Sequence, residues 1–214
     1  MNVVKSPKIL IDKLVNFDNL LNEIEHNDFI KNKNIENINK EQIDIYDIKF
    51  ENVIFNNIDI LNSKLEKNLF TDVIFKNCNF SNTSFENSNF VRCEFNNCKI
   101  IGCNFIEARF YNATFKESNG NYANFSLANQ ENILFKDTVL RNSYFLENKL
   151  KNIYFENVDL TQSQFIKTSL KNVDLSNSVI EGMAVSTDDI KGAIINQFQA
   201  IDLLYLLGVK VKFD

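Results

Sequence analysis

The sequence predicts an all-β solenoid, and three observations predict it. Large apolar residues recur every five positions, Asn recurs at a fixed place in each five-residue unit, and the 214 residues include 20 Phe but only 5 Gly and 1 Pro. A period of five matches neither the 3.6-residue helix nor the two-residue strand; internal repeats of this kind mark chains that stack one structural unit on the next. A globular α/β enzyme of this length turns many tight corners and uses more Gly and Pro for them. Another residue must turn this chain.

The lattice runs from Ile45 to Ile180. Of its 28 positions only Gly120 and Gln130 are not large and apolar, and 16 of the 20 Phe lie on it. Two residues earlier in each unit the side chain is usually small or β-branched, as at Cys78, Thr83, Ser88, Cys93, Cys98, Cys103, Ala108 and Ala113. Both positions are expected to face inward. Two residues after the core position stands Asn, at Asn52, Asn57, Asn62, Asn77, Asn82, Asn87, Asn97 and Asn112 among others. Asn tolerates turn dihedrals and bonds nearby backbone, so it can do the turning that Gly and Pro do elsewhere.

The unit reads small, polar, Phe or Leu, polar, Asn, in stretches such as CNFSN (78–82), TSFEN (83–87), SNFVR (88–92) and VDLSN (173–177). Over about 140 residues this resembles the pentapeptide-repeat family. The resemblance implies a right-handed quadrilateral β-helix in which four units make one square coil. Twenty-eight units then give about seven coils, a tower ~34 Å tall at ~4.8 Å per stacked strand. Residues 20 apart should stack, so Phe55, Phe75, Phe95, Phe115, Phe135 and Phe155 form the expected core ladder. Around Gly120 and Gln130, which flank Phe125, the expectation is a cavity and a buried amide bonded to backbone.

The sequence divides into residues 1–28, an N-terminal amphipathic helical cap; 29–185, the repeat β-helix; and 186–214, a C-terminal helix with a short strand. Ser6 and Pro7 read as N-cap and first helical residue, followed by an apolar stripe of Leu10, Leu14, Phe17, Leu21 and Ile24 that predicts a helix over about 7–25. Between them and the lattice, Ile30, Ile35 and Ile45 keep the period while Lys40 breaks it, predicting an imperfect first coil. In the tail, Ala200, Leu203, Leu204 and Leu207 make one helical stripe and Phe198, Ile201 and Tyr205 a second. Gly208 fits a helix C-terminus, and Val209, Val211 and Phe213 then alternate as a strand. The second stripe has no obvious partner within the chain, which points to another subunit. The tail also resembles the C-terminal dimerisation module of the quinolone-resistance pentapeptide proteins at Gln199, Ala200, Leu207 and Gly208. That resemblance implies a homodimer, with Phe198, Ile201, Leu204, Tyr205, Val209, Val211 and Phe213 at its interface.

Catalytic chemistry finds little support. His26 is the one histidine, so neither a Ser/His/Asp triad nor a His-rich metal site can be assembled, and no catalytic residue, cofactor or metal is expected. All four cysteines fall on the small inward position and read as small hydrophobes. Acidic residues outnumber basic ones 28 to 23, with no polybasic run, so neither direct nucleic-acid nor membrane binding is expected. No stretch of 18 apolar residues and no signal-peptide pattern is present; the expectation is a cytoplasmic protein.

Function is therefore expected on the outer surface. The family resemblance implies a dimeric rod that imitates B-form DNA, binds DNA gyrase or topoisomerase IV, and protects them from quinolones or toxins. Residues 46–185 carry 16 acidic and 14 basic side chains, a net of −2, whereas ~34 Å of duplex carries about 20 phosphates. Mimicry would need local acidic stripes. The alternative is a protein-interaction scaffold for an unrelated partner.

Overall fold

The computed structural model describes residues 4–17, 20–210 and 212. From Phe29 onward the chain winds into a parallel β-solenoid of about eight coils. Its longest strands begin 20 residues apart, at Phe29–Glu36, Lys49–Asn56, Leu69–Lys76, Asn89–Asn96, Arg109–Lys116, Asn129–Lys136 and Lys149–Glu156. They pair in register, Phe55 opposite Phe75 and Phe75 opposite Phe95, and so on along the axis. A twenty-residue coil of four pentapeptides keeps every side chain above its counterpart in the next coil.

The corners follow from backbone dihedrals. Every unit from Asn32 to Asn172 turns at a residue with positive φ, including 28 that are not Gly. Asn holds many of these, and Asp, Glu, Lys and even Leu127 (φ 60°) hold others. A left-handed residue costs about 1–2 kcal/mol outside Gly and Asn; here many also send their N–H to the next coil, as Asn57 does to the Lys76 carbonyl at 3.0 Å.

The core is a stack of rings. Successive members of the Phe55, Phe75, Phe95, Phe115, Phe135, Phe155 column lie 5.2, 4.5, 4.6, 4.9 and 5.4 Å apart between centroids, all near parallel. Neighbouring columns meet edge to face, as Phe75 and Phe80 do at 86°. Both arrangements suit the ring quadrupole. The small inward position has its own task. Its hydroxyl or thiol donates to a carbonyl 23 residues back: Thr83 to Ile60 at 2.8 Å, Ser88 to Leu65 at 3.0 Å, Cys103 to Phe80 at 2.9 Å. The side chain's own polar group is thereby paired inside the core, and the Phe80 carbonyl accepts the Thr83 N–H at 2.9 Å as well.

Several expectations need correction. The first coil forms, with Ile30, Ile35 and Ile45 buried, while Lys40 points to solvent. A helix over 7–25 does not: α1 spans only Leu20–His26. Before it come a single 3-10 turn at Ile11–Lys13 and a strand, Val15–Phe17, that pairs with Lys33–Ile35 and extends the long sheet by one rung. Residues 5–10 lie along the tower because its side chains offer acceptors to their backbone, which outcompetes a helical stripe left without a partner. Leu10 and Ile11 are accordingly exposed.

Gly120 leaves no cavity. The Cδ2 of Leu140 and the Cδ1 of Ile100, from the coils on either side, lie 2.8 and 3.3 Å from where a Cβ at Gly120 would stand, so β-branched and γ-branched neighbours have filled the space. Gln130 is buried, and neither its Oε1 nor its Nε2 has a hydrogen-bond partner, contrary to the backbone bond expected.

At the far end α2 spans Gln199–Asp202, followed by a 3-10 turn at Leu204–Leu207 that Gly208 closes at φ 67°. Tightening from α to 3-10 geometry shifts the stripe, so that Leu203 and Leu206 pack on the core while Leu207 is 72% exposed. Val209 and Lys210 form no strand; Val211 and Phe213 lie outside the described residues.

Candidate protein-binding surfaces

Interior chemistry can be set aside first. The four thiols are buried and unbridged. Burial pushes the Cys93 thiol up to about 12 and raises those of Cys78 and Cys103 as well, so thiolate is disfavoured at neutral pH. His26 ends α1, and no group of three His, Cys, Asp or Glu able to hold a metal occurs among the described residues. No helix among them is long and apolar enough to cross a membrane.

Two surfaces remain. The first is the edge where each long strand turns from one side of the square to the next. Its column reads Asn32, Asn52, Asp72, Arg92, Asn112, Asn132, Asn152 and Asn172. The N-terminal arm lies along this edge, its chain running against the winding direction. Backbone N–H groups of Lys5, Lys8 and Leu10 donate to Asn112 Oδ1 at 3.1 Å, Asp72 Oδ1 at 2.8 Å and Asn52 Oδ1 at 2.8 Å. The arm buries Asn52 and Asn112 almost completely. Arg92, the one cation in the column, reaches back one coil: its Nε and Nη2 donate to the two Asp72 oxygens, each at 2.6 Å. Burial of Asp72 opposes its charge, but the Arg92 fork and the Lys8 N–H outweigh burial and hold the carboxyl below the usual carboxylate range. Sequence reasoning missed this site. Its one signal was a charged pair, Asp72 and Arg92, interrupting a column of Asn.

The second surface caps the far end. Gln199 is buried and its Nε2 donates to the carbonyls of Leu175 and Ser178 at 2.8 and 2.6 Å, which ties α2 to the last coils. Tyr205 donates its hydroxyl to the Met183 carbonyl at 2.7 Å. Exposed to solvent are Phe198 at 71% and, about half exposed, Ile201 and Val209; Tyr205 is half exposed although its hydroxyl is tied to the tower, and Leu204 is half-buried. These belong to the expected interface, together with Val211 and Phe213, of which nothing structural is described. Leu207 joins the exposed group.

Elsewhere several ion pairs run along the axis. Glu131 pairs with Lys151, Glu147 with Lys167, Glu156 with Lys136 and Glu51 with Lys31, each across one coil. Arg141 and Asp159 pair at 2.6 Å.

A square parallel solenoid with inward Phe and left-handed corners defines a class of repeat protein whose working surface is its outside. Family models make the class specific: one for a pentapeptide repeat region matches residues 88–165 and another, of eight pentapeptide copies, matches 69–105, so residues 69–165 carry pentapeptide repeats. No curated protein matches it significantly. Solved structures similar to it include a trypsin-treated form of QnrB1, a plasmid-mediated fluoroquinolone resistance protein, at 19% identity and TM-score 0.42 over 86% of this chain and 99% of that one. HetL, involved in heterocyst differentiation regulation in the cyanobacterium Nostoc, matches at 11% identity and TM-score 0.39 over 86% and 98%. Rfr23 from the cyanobacterium Cyanothece matches at 14% identity and TM-score 0.29 over 83% and 98%.

Proposed function

We propose that the chain is a non-enzymatic, cytoplasmic protein-binding rod that forms a homodimer through its C-terminal cap. The observation that carries this reading is the cluster of Phe198, Ile201, Tyr205, Leu207 and Val209, exposed together at one end while the rest of the tail seals the core. Aromatic and aliphatic side chains grouped in this way are costly to leave in water and are what a homodimer interface buries. Replacing Phe198 and Ile201 with Glu should leave a folded monomer where the native chain is a dimer, as read by light scattering and circular dichroism. A native chain that is monomeric at every concentration would overturn the dimer.

A second reading is narrower: the dimer imitates DNA and occupies the DNA-binding saddle of gyrase or topoisomerase IV. It is favoured by the resemblance of the tail at Gln199, Ala200, Leu207 and Gly208, and by Gln199 anchoring the cap to the last coils. Against it, three of the acids that should stand in for phosphates, Glu131, Glu147 and Glu156, are paired with Lys one coil away. A supercoiling assay separates the two. Restoration of gyrase activity in the presence of a fluoroquinolone supports the mimic; unaltered inhibition across a wide excess of protein removes it and leaves a scaffold for another protein.

A further inference from the structure

The first coil has no coil before it, and only part of its edge is covered. Val15–Phe17 pairs with Lys33–Ile35 there, and α1 packs beside Phe29–Glu36. On the next two sides the strands Asn39–Glu41 and Asp44–Tyr46 each pair along one edge alone, with Asp59–Leu61 and Lys64–Glu66. One coil on, the N–H groups of Asp59 and Lys64 donate back to the Ile38 and Ile43 carbonyls at 2.8 and 2.9 Å. A coil further, the Asn79 and Ser84 carbonyls accept from Ile60 and Leu65 of the coil before. The corresponding groups of the first coil, the N–H and carbonyl of Asn39 and of Asp44, have no such partner among the described residues. Asn39, Glu41, Asp44 and Tyr46 are exposed, and a depression of about 420 Å³ lined by Leu21, Ile24, Ile43 and Tyr46 opens beside them. An exposed strand edge next to apolar side chains is a template for pairing with another chain.

Lys40 stands in this gap. Of the five-residue positions from Ile30 to Ile180 it is the only charged one. Ile30, Ile35 and Ile45 of the same coil are buried, whereas Lys40, opposite Ile60 in the register, is exposed and pairs with no carboxylate of the described residues. Pairing along this edge would carry its ammonium into the apolar mouth of the tower, and an unpaired charge resists such burial.

We propose that Lys40 keeps this edge from joining the same edge of a second copy. The edge fits its own like because Asn39 and Asp44 each turn both N–H and carbonyl outward, the arrangement in which opposed antiparallel residues exchange both bonds. The consequence for assembly rests on the dimer reading: a rod that also self-paired at its C-terminal cap would grow without closing. The block at Lys40 does not rest on it.

The test uses the Phe198→Glu/Ile201→Glu chain as parent, so that association at the cap does not enter. Lys40→Ile, which restores the apolar position, and Lys40→Met, which keeps the stem without the charge, should each raise the mass by light scattering to about twice the parent's or more. Lys40→Glu should leave it unchanged. Adding Asp44→Pro to Lys40→Ile removes an outward N–H that no bond within the chain uses, and should return the parent's mass. Lys149→Ile makes the same chemical change on the outside of the tower and should not associate. Circular dichroism verifies folding. The proposal is overturned if both Lys40→Ile and Lys40→Met keep the parent's mass, if Lys149→Ile associates equally, or if Asp44→Pro leaves the association intact. Unfolding of both Lys40 variants would overturn it too, since Lys40 would then hold the coil and not guard its edge.

Discussion

Leu140 occupies the space that a side chain at Gly120 would take: its Cδ2 stands 2.8 Å from the position of a Gly120 Cβ, with Ile100 closing the other side at 3.3 Å. Gly120 is thus a complement to two bulky neighbours in its own column. Gly120→Ala should destabilise by about 1–3 kcal/mol through overpacking, and adding Leu140→Val should recover part of that loss. Chemical denaturation of the two single variants and the double gives the coupling; strict additivity would show that Leu140 is not the obstacle.

Gln130 presents the opposite problem. It lies between Phe110 and Leu150 in its column, buried, with both polar atoms unpaired. An unsatisfied buried amide costs about 1–3 kcal/mol. Gln130→Leu, which keeps the volume and removes the polar atoms, should therefore raise stability by about that amount. A lower melting temperature for Gln130→Leu would show that the amide is satisfied in solution.

How much of this was legible in the sequence depends on which physical signal each feature leaves. The Phe lattice was legible because burial imposes a period of five; that four units make one coil, and hence the 20-residue register, was implied by the resemblance to the pentapeptide-repeat family. The corners were half legible: Asn52 and Asn57 announce a positive φ, whereas Lys67, Arg92 and Leu127 adopt one only because the coils on either side demand it. The arm was illegible as an arm, since Leu10, Leu14 and Phe17 happen to fall at helical spacing and a local pattern cannot reveal acceptors at Asn52, Asp72 and Asn112, far along the chain. At the other end Leu207 was misplaced because a change from α to 3-10 geometry leaves no mark in composition.

The buried thiols predict an alkaline limit. Burial raises the folded-state pKa of Cys93 to about 12 and lifts those of Cys78 and Cys103, whereas an unfolded thiol ionises near ~8.5. Above that pH the unfolded chain releases protons that the folded chain retains. Stability from this source is therefore whole below about pH 8.5 and declines as pH rises toward about 12, by up to ~1.4 kcal/mol per pH unit per thiol. A chain with Cys93→Ala and Cys103→Ala should show a shallower decline between about pH 8.5 and 10.5. Thiol reagents should label the native protein only as fast as it opens.

Asn68 and Asn148 offer a controlled comparison, because both occupy the small inward position and lie in the same column, four coils apart. Asn68 is fully used: its Oδ1 accepts the Ile48 N–H at 2.8 Å and its Nδ2 donates to the Ile45 carbonyl at 3.0 Å. Neither Oδ1 nor Nδ2 of Asn148 has a partner, although its backbone N–H donates to Thr168 Oγ1 at 2.9 Å. Identical substitutions should then have different effects. Asn68→Ala removes two bonds and strands a buried N–H and a carbonyl, a loss of about 2–4 kcal/mol at ~1–2 kcal/mol for each group. Asn148→Ala removes only unpaired polar atoms, so the gain in desolvation offsets the small cavity and the change should lie within about 1 kcal/mol of zero. The difference between the two, measured by urea denaturation under one set of conditions, should exceed ~1 kcal/mol. Equal losses would mean that position in the column, and not hydrogen bonding, sets the cost.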